Sequence, residues 1–369
     1  MPIYAMDETG NPVDWWFMYK IAGKSKGKTK WTGTEYVYFD ARKPAIGKLT
    51  LSSEHVDKNG VLPETLQQLY SKEAASNPRL GWFFYNDEDP ITGKTNSSRG
   101  HTKGVLAFDL GSNTAFWLIQ STPKFPLKGT YGFPTTGEPN AQTMLCITLK
   151  DATVAQTIAK QMFAAQQPNV YLASKVPAEL KDPNDPRVKL LQNQVASGNT
   201  PISGVVPFIS KAGVKFMSIA KNKYWGLDFY NDLVGPTLHD NLDVETWEHD
   251  PTPTPLQSDK VHTVVDMKGI DLNPLGIDAT WLETNDHAKL AISAKSEATH
   301  YVCVGDINFT IPMRKRSGGT VAFLCEPLWA SISEILVDVT VHVKKGSKAE
   351  KQQKVIKAAK AARVARAKK

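Results

Sequence analysis

The chain has 369 residues, of which 41% are hydrophobic and 22% are charged, which is enough apolar material for two domains or one large two-lobed unit. Its net charge of +7 is concentrated at the C-terminus: positions 344–369 hold 11 lysines and arginines and one acid, so the other 343 residues carry a net charge of −3. Because no stretch of 18 apolar residues is present, the sequence excludes a conventional membrane-spanning helix, and we expect no membrane partner.

The N-terminal half is predicted to consist mainly of β-strands. Aromatic and β-branched runs that are bounded by Gly, Pro, Asn or Asp are typical of strands. Such runs occur at 12–21, 35–40, 80–86, 104–110, 114–121 and 143–149. A helix is predicted to follow, with Asp151 as its N-cap and apolar residues recurring as far as Gln166.

A segment rich in Pro, Asn and Asp at 181–200 predicts a connection between an N-terminal lobe, 1–180, and a C-terminal lobe, 201–343. The C-terminal lobe repeats the strand pattern and ends with a predicted helix near 327–336. The strands predicted in this lobe lie near 214–220, 242–247, 261–272, 288–294, 301–308 and 337–343.

The last segment, 344–369, has a different character. Basic residues recur at every third position from 348 to 366, with mainly Ala, Gln and Val between them, so no broad apolar face exists. This pattern predicts a tail that is disordered or becomes helical on binding. It is either a solvated tail or a clamp that binds DNA phosphates without reading sequence. The clamp would use Lys348, Lys351, Lys354 and Lys357.

Two His-x-Lys motifs border predicted strands: His101 with Lys103, and His287 with Lys289. Residues two apart in a strand face the same side, so each histidine would project together with its lysine. An imidazole can attack phosphorus or protonate a leaving oxygen, and a lysine can neutralise the non-bridging oxygens of a phosphate. Two such pairs predict phosphoryl transfer that needs no metal.

The spacing alone is weak support, because a third His-x-Lys, His342 with Lys344, stands at the root of the tail and is interpreted as incidental. The acids Asp87, Glu88 and Asp89 could indicate a metal site. However, they lie in a predicted turn and lack a histidine motif. We therefore expect no metal and no other cofactor.

The longer segments around both motifs resemble the deoxyribonuclease II family. SSRGHTKGVLAFD at 97–109 is similar to its first active-site motif, and DHAK at 286–289 matches its second, Asp-His-x-Lys. The resemblance covers nearly the whole chain up to the tail. The flanking segments that agree in order are NPVDWWFMYK (11–20), GWFFYND (81–87), FWLIQSTPKFP (116–126), QTMLC (142–146), CVGDIN (303–308) and SGGT (317–320).

This resemblance implies a phospholipase D-like α/β fold with two lobes related by a pseudo-twofold axis. Each lobe would be a mixed β-sheet flanked by helices, and the basic tail would follow. The resemblance also implies a metal-independent endonuclease that acts on double-stranded DNA, favours acidic pH and leaves 3′-phosphate and 5′-hydroxyl ends.

The same resemblance implies roles for individual residues. His101 and His287 would be the catalytic pair, with Lys103 and Lys289 on the phosphate. By analogy with phospholipase D enzymes, His101 is assigned as the nucleophile that forms a phosphohistidine and His287 as the general acid, while the opposite assignment stays open. The residues expected to position the substrate are Ser121, Asn308 and Arg99.

The cysteines depart from the family pattern. Cys146 matches a family disulfide cysteine whose partner position falls near Ala5, and Cys303 matches another whose partner falls at Ala322, although a small gap could bring Cys325 there. Loss of at least one partner, together with the lack of a visible signal peptide, leads us to expect a reducing compartment or a bacterial-type protein.

Two other functions stay open at this stage. A phospholipase D-type hydrolase that acts on a lipid or another phosphodiester would use the same histidines. A non-catalytic DNA-binding protein would keep the fold without the chemistry. A homodimer is an open alternative to a monomer.

Overall fold

A computed structural model describes residues 1–42, 47–247 and 261–337 of the chain. The strands of the N-terminal half are β1 (Ala5–Met6), β2 (Pro12–Val13), β3 (Trp15–Lys20), β4 (Glu35–Asp40), β5 (Thr50–His55), β6 (Leu80–Asn86), β7 (Lys103–Asp109), β8 (Thr114–Gln120), β9 (Gln142–Leu149) and β10 (Val170–Ala173). Those of the C-terminal half are β11 (Ser203–Ile209), β12 (Lys215–Lys221), β13 (Leu242–Thr246), β14 (Val264–Asp266), β15 (Gly269–Asp271), β16 (Thr280–Leu282), β17 (Lys289–Ser293), β18 (Tyr301–Gly305), β19 (Gly318–Leu324) and β20 (Leu336–Val337). The α-helices are α1 (Val61–Tyr70), α2 (Lys72–Ser76), α3 (Ala152–Gln161), α4 (Pro186–Leu191), α5 (Gly235–Leu238) and α6 (Glu326–Ile335).

Two large sheets dominate this mixed α/β fold. The first has the order β10-β6-β7-β8-β9-β3-β4-β5, and the second has the order β11-β12-β19-β18-β17-β13-β14. The run β6-β7-β8-β9-β3 corresponds to β13-β17-β18-β19-β12 both in space and in chain order. Two small sheets, β1-β2 and β16-β15-β20, complete the described fold.

The prediction of a mixed sheet in each lobe is wrong for the first sheet, which is antiparallel throughout. Strands β6 to β9 lie side by side in chain order, and each returns in the direction opposite to the one before it. The second sheet is mixed, because β13 pairs with β14 in parallel while its other pairs are antiparallel.

The two large sheets share one continuous hydrophobic core. Alternation along β3 directs Trp15 and Phe17 into this core, and the ring of Trp15 lies 5.0 Å from that of Phe323 in the second sheet. The other face of β3 presents Trp16 and Met18 to a second cluster that includes apolar residues of α1. Both faces of β3 are therefore buried, which explains its uninterrupted apolar sequence.

The N-cap prediction for the helix after β9 is confirmed. The Asp151 carboxylate accepts hydrogen bonds from the backbone N–H groups of Thr153 (2.9 Å) and Val154 (3.1 Å) at the start of α3. The helix then continues as a wider π-helical turn over Met162–Gln166. The boundaries of the predicted connection at 181–200 stay predictions; this segment contains the short helix α4.

The prediction of one strand over 261–272 is wrong, because the segment divides into β14 and β15, which belong to different sheets. The Met267 N–H still bonds to Val244 of the large sheet, whereas the Lys268 N–H bonds to Val337 of the small one. The last predicted strand, 337–343, lies almost entirely outside the described residues. None of the described helices is long and apolar enough to span a membrane.

The three cysteines are free thiols in the described structure. Cys303 lies directly opposite Ala322 in the register of β18 and β19, and which residue corresponds to the family's partner cysteine stays a prediction. Cys146 and Cys303 are buried free thiols, and Cys325 is half-buried.

Candidate active site

His101 lies at the end of the loop that enters β7, and residues of the C-terminal half hold both its backbone and its ring. Its backbone N–H donates to the Ser317 carbonyl at 2.8 Å. Its Nδ1 donates to the Asp306 carbonyl oxygen at 2.5 Å. A carbonyl only accepts, so in the neutral ring the proton sits on Nδ1 and Nε2 keeps its lone pair. The side chain is 15% exposed.

His287 lies directly before β17, and residues of the N-terminal half bind both its backbone and its ring. Its backbone N–H donates to the Ala141 carbonyl at 2.9 Å. The Asn140 side chain donates to its Nε2 at 3.3 Å. The ring of Trp247 lies 5.1 Å from its ring and limits its movement on one side.

The two anchoring carbonyls occupy equivalent places in the fold. Ser317 directly precedes β19, and Ala141 directly precedes β9. Each histidine therefore rests on the start of a strand from the opposite large sheet. These hydrogen bonds to the opposite sheet bring the two His-x-Lys motifs, which are far apart in sequence, to one junction between the sheets.

The charges of both motifs act on each histidine. Burial, reinforced by the charges of Lys103 and Lys289, lowers the pKa of His101 to about 3. Burial and the same two lysines lower the pKa of His287 to about 2. Both imidazoles are therefore neutral at pH 7 in the free protein.

Lys103 forms an ion pair with a buried carboxylate. Its Nζ lies 2.5 Å from Asp87 Oδ1, and Arg316 Nη2 lies 2.9 Å from Asp87 Oδ2. The same oxygen is 4.0 Å from His101 Nε2. Burial alone would raise the pKa of Asp87, but the charges of Lys103 and Arg316 hold it well below its usual range. Asp87 is thus an ionised partner of two cations at the site, rather than only a turn residue.

Lys289 has a different environment. Its Nζ donates to the His287 carbonyl at 2.5 Å. Burial, with repulsion from Lys103 in the same direction, lowers the pKa of Lys289 to about 7. Asp286, on the other side of His287, accepts hydrogen bonds from Trp281 Nε1 (2.6 Å) and from the Ala288 N–H (2.8 Å). These bonds fix the backbone around His287.

Comparison with known proteins gives the family of the chain. Residues 5–341 match the model of the family described as Deoxyribonuclease II. The chain belongs to the deoxyribonuclease II family. A Burkholderia pseudomallei (strain K96243) protein provisionally named deoxyribonuclease-2 is 41% identical over 339 residues, which cover 90% of this chain and 92% of that protein. Deoxyribonuclease-2 of Caenorhabditis elegans is 32% identical over 358 residues (89% and 91%), and deoxyribonuclease-2-alpha of Rattus norvegicus is 31% identical over 348 residues (89% and 91%).

The three residues predicted to position the substrate in this deoxyribonuclease II family member differ in how their polar groups are used. The Ser121 hydroxyl donates to Gln142 Oε1 at 2.7 Å, and Arg99 Nη2 donates to the Asn193 carbonyl at 2.8 Å. Asn308 is buried, and its Oδ1 has no hydrogen-bond partner among the described residues. Arg99 Nη1 likewise has no hydrogen-bond partner in the described part of the chain, and substrate contact by all three residues stays a prediction.

The tail lysines and the third His-x-Lys motif fall outside the described residues: Lys348, Lys351, Lys354, Lys357, His342 and Lys344. Within the described ranges, no group of three or more His, Cys, Asp or Glu side chains is arranged to hold a metal ion.

Proposed function

We propose that this protein is an endonuclease that hydrolyses phosphodiesters of double-stranded DNA with two histidines and without a metal. The observation that carries the proposal is the junction at which His101 and His287, each beside a lysine, are held by backbone carbonyls of the opposite half. Membership of the deoxyribonuclease II family supports DNA as the substrate.

His101 is the better nucleophile on geometric grounds. The hydrogen bond from Nδ1 to the Asp306 carbonyl places the free lone pair on Nε2, and the lowered pKa keeps that lone pair unprotonated even in acid. Attack by Nε2 forms an N–P bond and breaks the bond from phosphorus to the 5′ oxygen. The strand that ends at the 3′ side then remains attached to His101 as a phosphohistidine.

His287 supplies and recovers the proton. In the cationic form it protonates the departing 5′ oxygen, which leaves as a 5′-hydroxyl. Neutral His287 then takes a proton from water as that water attacks phosphorus, the N–P bond breaks, and a 3′-phosphate is released. The low pKa of His287 in the free protein means that the negative phosphodiester must raise it before the ring can act as an acid. The opposite assignment, with His287 as the nucleophile, uses the same groups and stays open.

The two lysines stabilise the negative charge on the non-bridging oxygens. Lys103 forms a buried ion pair with Asp87, which fixes its position. Lys289 has a pKa of about 7 and becomes fully cationic on the acid side of neutral. Preorganised cations of this kind lower the barrier without a Lewis acid.

We also infer that the two halves are lobes related by a pseudo-twofold axis, as in phospholipase D-like proteins. The matching strand order of the two sheets supports this inference, and two buried lysines extend the correspondence. Lys20, at the end of β3, donates to the carbonyls of Ile21 (3.1 Å), Gly33 (2.8 Å) and Glu138 (3.2 Å). Lys221, at the end of the equivalent β12, likewise donates to three carbonyls, those of Met313, Arg314 and Arg316.

Supercoiled plasmid should be cut at the same rate with and without an excess of chelator, because lysines take the place of a metal ion in charge neutralisation. The measurement is plasmid nicking in acidic buffer, with a phospholipid phosphodiester assayed in parallel. A magnesium-dependent nuclease in the same buffer verifies that the chelator is effective.

Each alternative function gives a different outcome in that assay. Activity that appears only when magnesium is added would contradict the metal-independent mechanism. Hydrolysis of the lipid without cleavage of the plasmid would favour a phospholipase D-type enzyme. If neither substrate reacts, the chain is a binding protein that keeps the fold.

A further inference from the structure

The connection between β3 and β4 carries a dense group of positive charge in a body whose net charge, without the tail, is −3. Four of the seven residues at 24–30, here called the lysine loop, are lysines, and all four side chains are exposed. They are Lys24, Lys26, Lys28 and Lys30. The sequence analysis predicts DNA contacts by lysines of the tail and not by these four lysines.

The lysine loop contacts two segments beside His287: one holds the His287 ring, and the other precedes His287 in the chain. The Lys24 N–H donates to the Pro139 carbonyl at 3.2 Å, and the next residue, Asn140, donates to the His287 ring. Lys26 and Thr280 exchange backbone hydrogen bonds of 2.7 and 3.0 Å, and the chain runs on from Thr280 through β16 to His287. The loop is therefore built into the wall of the site on the His287 side.

Backbone groups, rather than lysine side chains, hold the loop in place. The Asp278 carboxylate accepts hydrogen bonds from the N–H groups of Lys28 (2.6 Å) and Thr29 (3.0 Å), and Trp31 Nε1 donates to the Asp278 carbonyl at 3.0 Å. A Cβ atom at Gly27 would lie only 2.7 Å from that carbonyl, so the close approach requires glycine. The loop is thus preorganised, which lowers the entropy cost of binding a ligand.

Among the described residues, none of the four ammonium groups forms an ion pair or a side-chain hydrogen bond, although the charge of Lys28 contributes to lowering the pKa of Asp278. The nearby carboxylates are already engaged by backbone N–H groups, Asp278 as above and Glu35 by Thr32 and Gly33. Four lysines therefore face two such carboxylates, and the excess positive charge of the loop is available to an external anion.

We propose that the lysine loop binds backbone phosphates of duplex DNA beside the reacting phosphate, on the His287 side of the site. This inference rests on the proposed function and names a part of the substrate outside the scissile bond. Lysine binds phosphate as a point charge, so the contact is independent of base sequence. The residues between the lysines are Ser, Gly and Thr, which offer no apolar surface for insertion into a membrane.

The test compares two sets of four substitutions in the full chain. The variant carries Lys24→Gln, Lys26→Gln, Lys28→Gln and Lys30→Gln. The matched control changes four exposed lysines near the opposite ends of the strands: Lys72, Lys150, Lys175 and Lys215. Both sets remove the same formal charge, so only the position of the charge differs.

The measurement is the dissociation constant for a short duplex at several salt concentrations, in a His101→Ala background that prevents cleavage. Each lost phosphate contact should reduce the slope of log affinity against log salt by about 0.9. If all four lysines contact phosphates, an increase from 50 to 200 mM salt should weaken DNA binding about 100-fold more for the protein with the intact loop than for the variant. Hydrolysis of bis(p-nitrophenyl) phosphate by the variant with His101 intact should equal that of wild type, since this small substrate occupies only the reacting site.

An unchanged salt slope, or an equal change in the control, would overturn the proposal. So would a loss of small-substrate hydrolysis, which would assign the loop to the reacting site. If the variant instead loses binding to anionic phospholipid vesicles and keeps DNA binding, the partner is a membrane surface. A wild-type protein that binds DNA with the expected slope but never cleaves it would refute the proposed function alone.

Discussion

Replacement of either catalytic histidine by alanine is expected to abolish plasmid cleavage. His101→Ala removes the atom that attacks phosphorus, and we expect kcat to fall by at least about 10⁴-fold, as for other enzymes that lose a nucleophile. His287→Ala removes the proton donor to the 5′ oxygen, and a general acid of this kind contributes about 10²- to 10⁴-fold. The measurement is the rate of plasmid nicking, together with thermal unfolding to verify that both variants are folded.

His262→Ala is the matched control, because His262 is also a half-buried histidine but lies near the His239 ring (6.2 Å) and outside the junction of the two motifs. Its cleavage rate should equal that of wild type. Substantial activity in either His101→Ala or His287→Ala would exclude the paired-histidine mechanism.

Asp87→Asn is expected to lower the free energy of unfolding by about 3–5 kcal/mol, because Lys103 and Arg316 would be left without their buried counter-charge. Urea unfolding near pH 7 measures this difference. Asp89→Asn, in the same turn, is the matched control: Asp89 Oδ1 accepts hydrogen bonds from the backbone N–H of Ile91 (2.6 Å) and Thr92 (3.2 Å), which an Asn side chain can replace. Its effect should be within about 0.5 kcal/mol.

The difference in the free energy of unfolding between wild type and Asp87→Asn should decrease only as the pH falls. The folded pKa of Asp87 is lower than the ordinary carboxyl value of about 3.9, so its contribution is fully present above that value. It is then lost progressively as the pH falls through the folded pKa. The difference between wild type and Asp87→Asn should therefore persist at pH 5 and shrink only in stronger acid. A difference that vanished already between pH 7 and 5 would show that Asp87 does not act as an ionised partner.

The central strands were predictable because each is an apolar run that ends at polar or turn-forming residues. The predicted strands at 80–86 and 104–110 correspond closely to β6 and β7. β11 was not predicted: Pro207 interrupts its apolar run, and proline is tolerated there because β11 is an edge strand. Helix α1 was also missed, since it starts after Gly60 without a side-chain cap and contains Pro63.

The site was predictable only where its signal is local. Each His-x-Lys motif spans three residues, so sequence inspection finds it directly. The partners that define the geometry come from distant segments: Arg316 reaches Asp87 across 229 positions, and Ser317 holds His101 across the interface of the two halves. Such contacts depend on how the two sheets pack against each other, which no local pattern reveals.

The most direct test of the two-histidine mechanism is the capture of the covalent intermediate. Rapid mixing with DNA, quenching without acid, proteolysis and mass spectrometry would locate any phosphoryl group on a histidine. We predict a phosphohistidine at His101 during turnover of the wild-type protein, and its absence in His101→Ala. Phosphate on His287 would reverse the roles of the two residues, and cleavage with no covalent intermediate in any of these proteins would contradict nucleophilic attack by histidine.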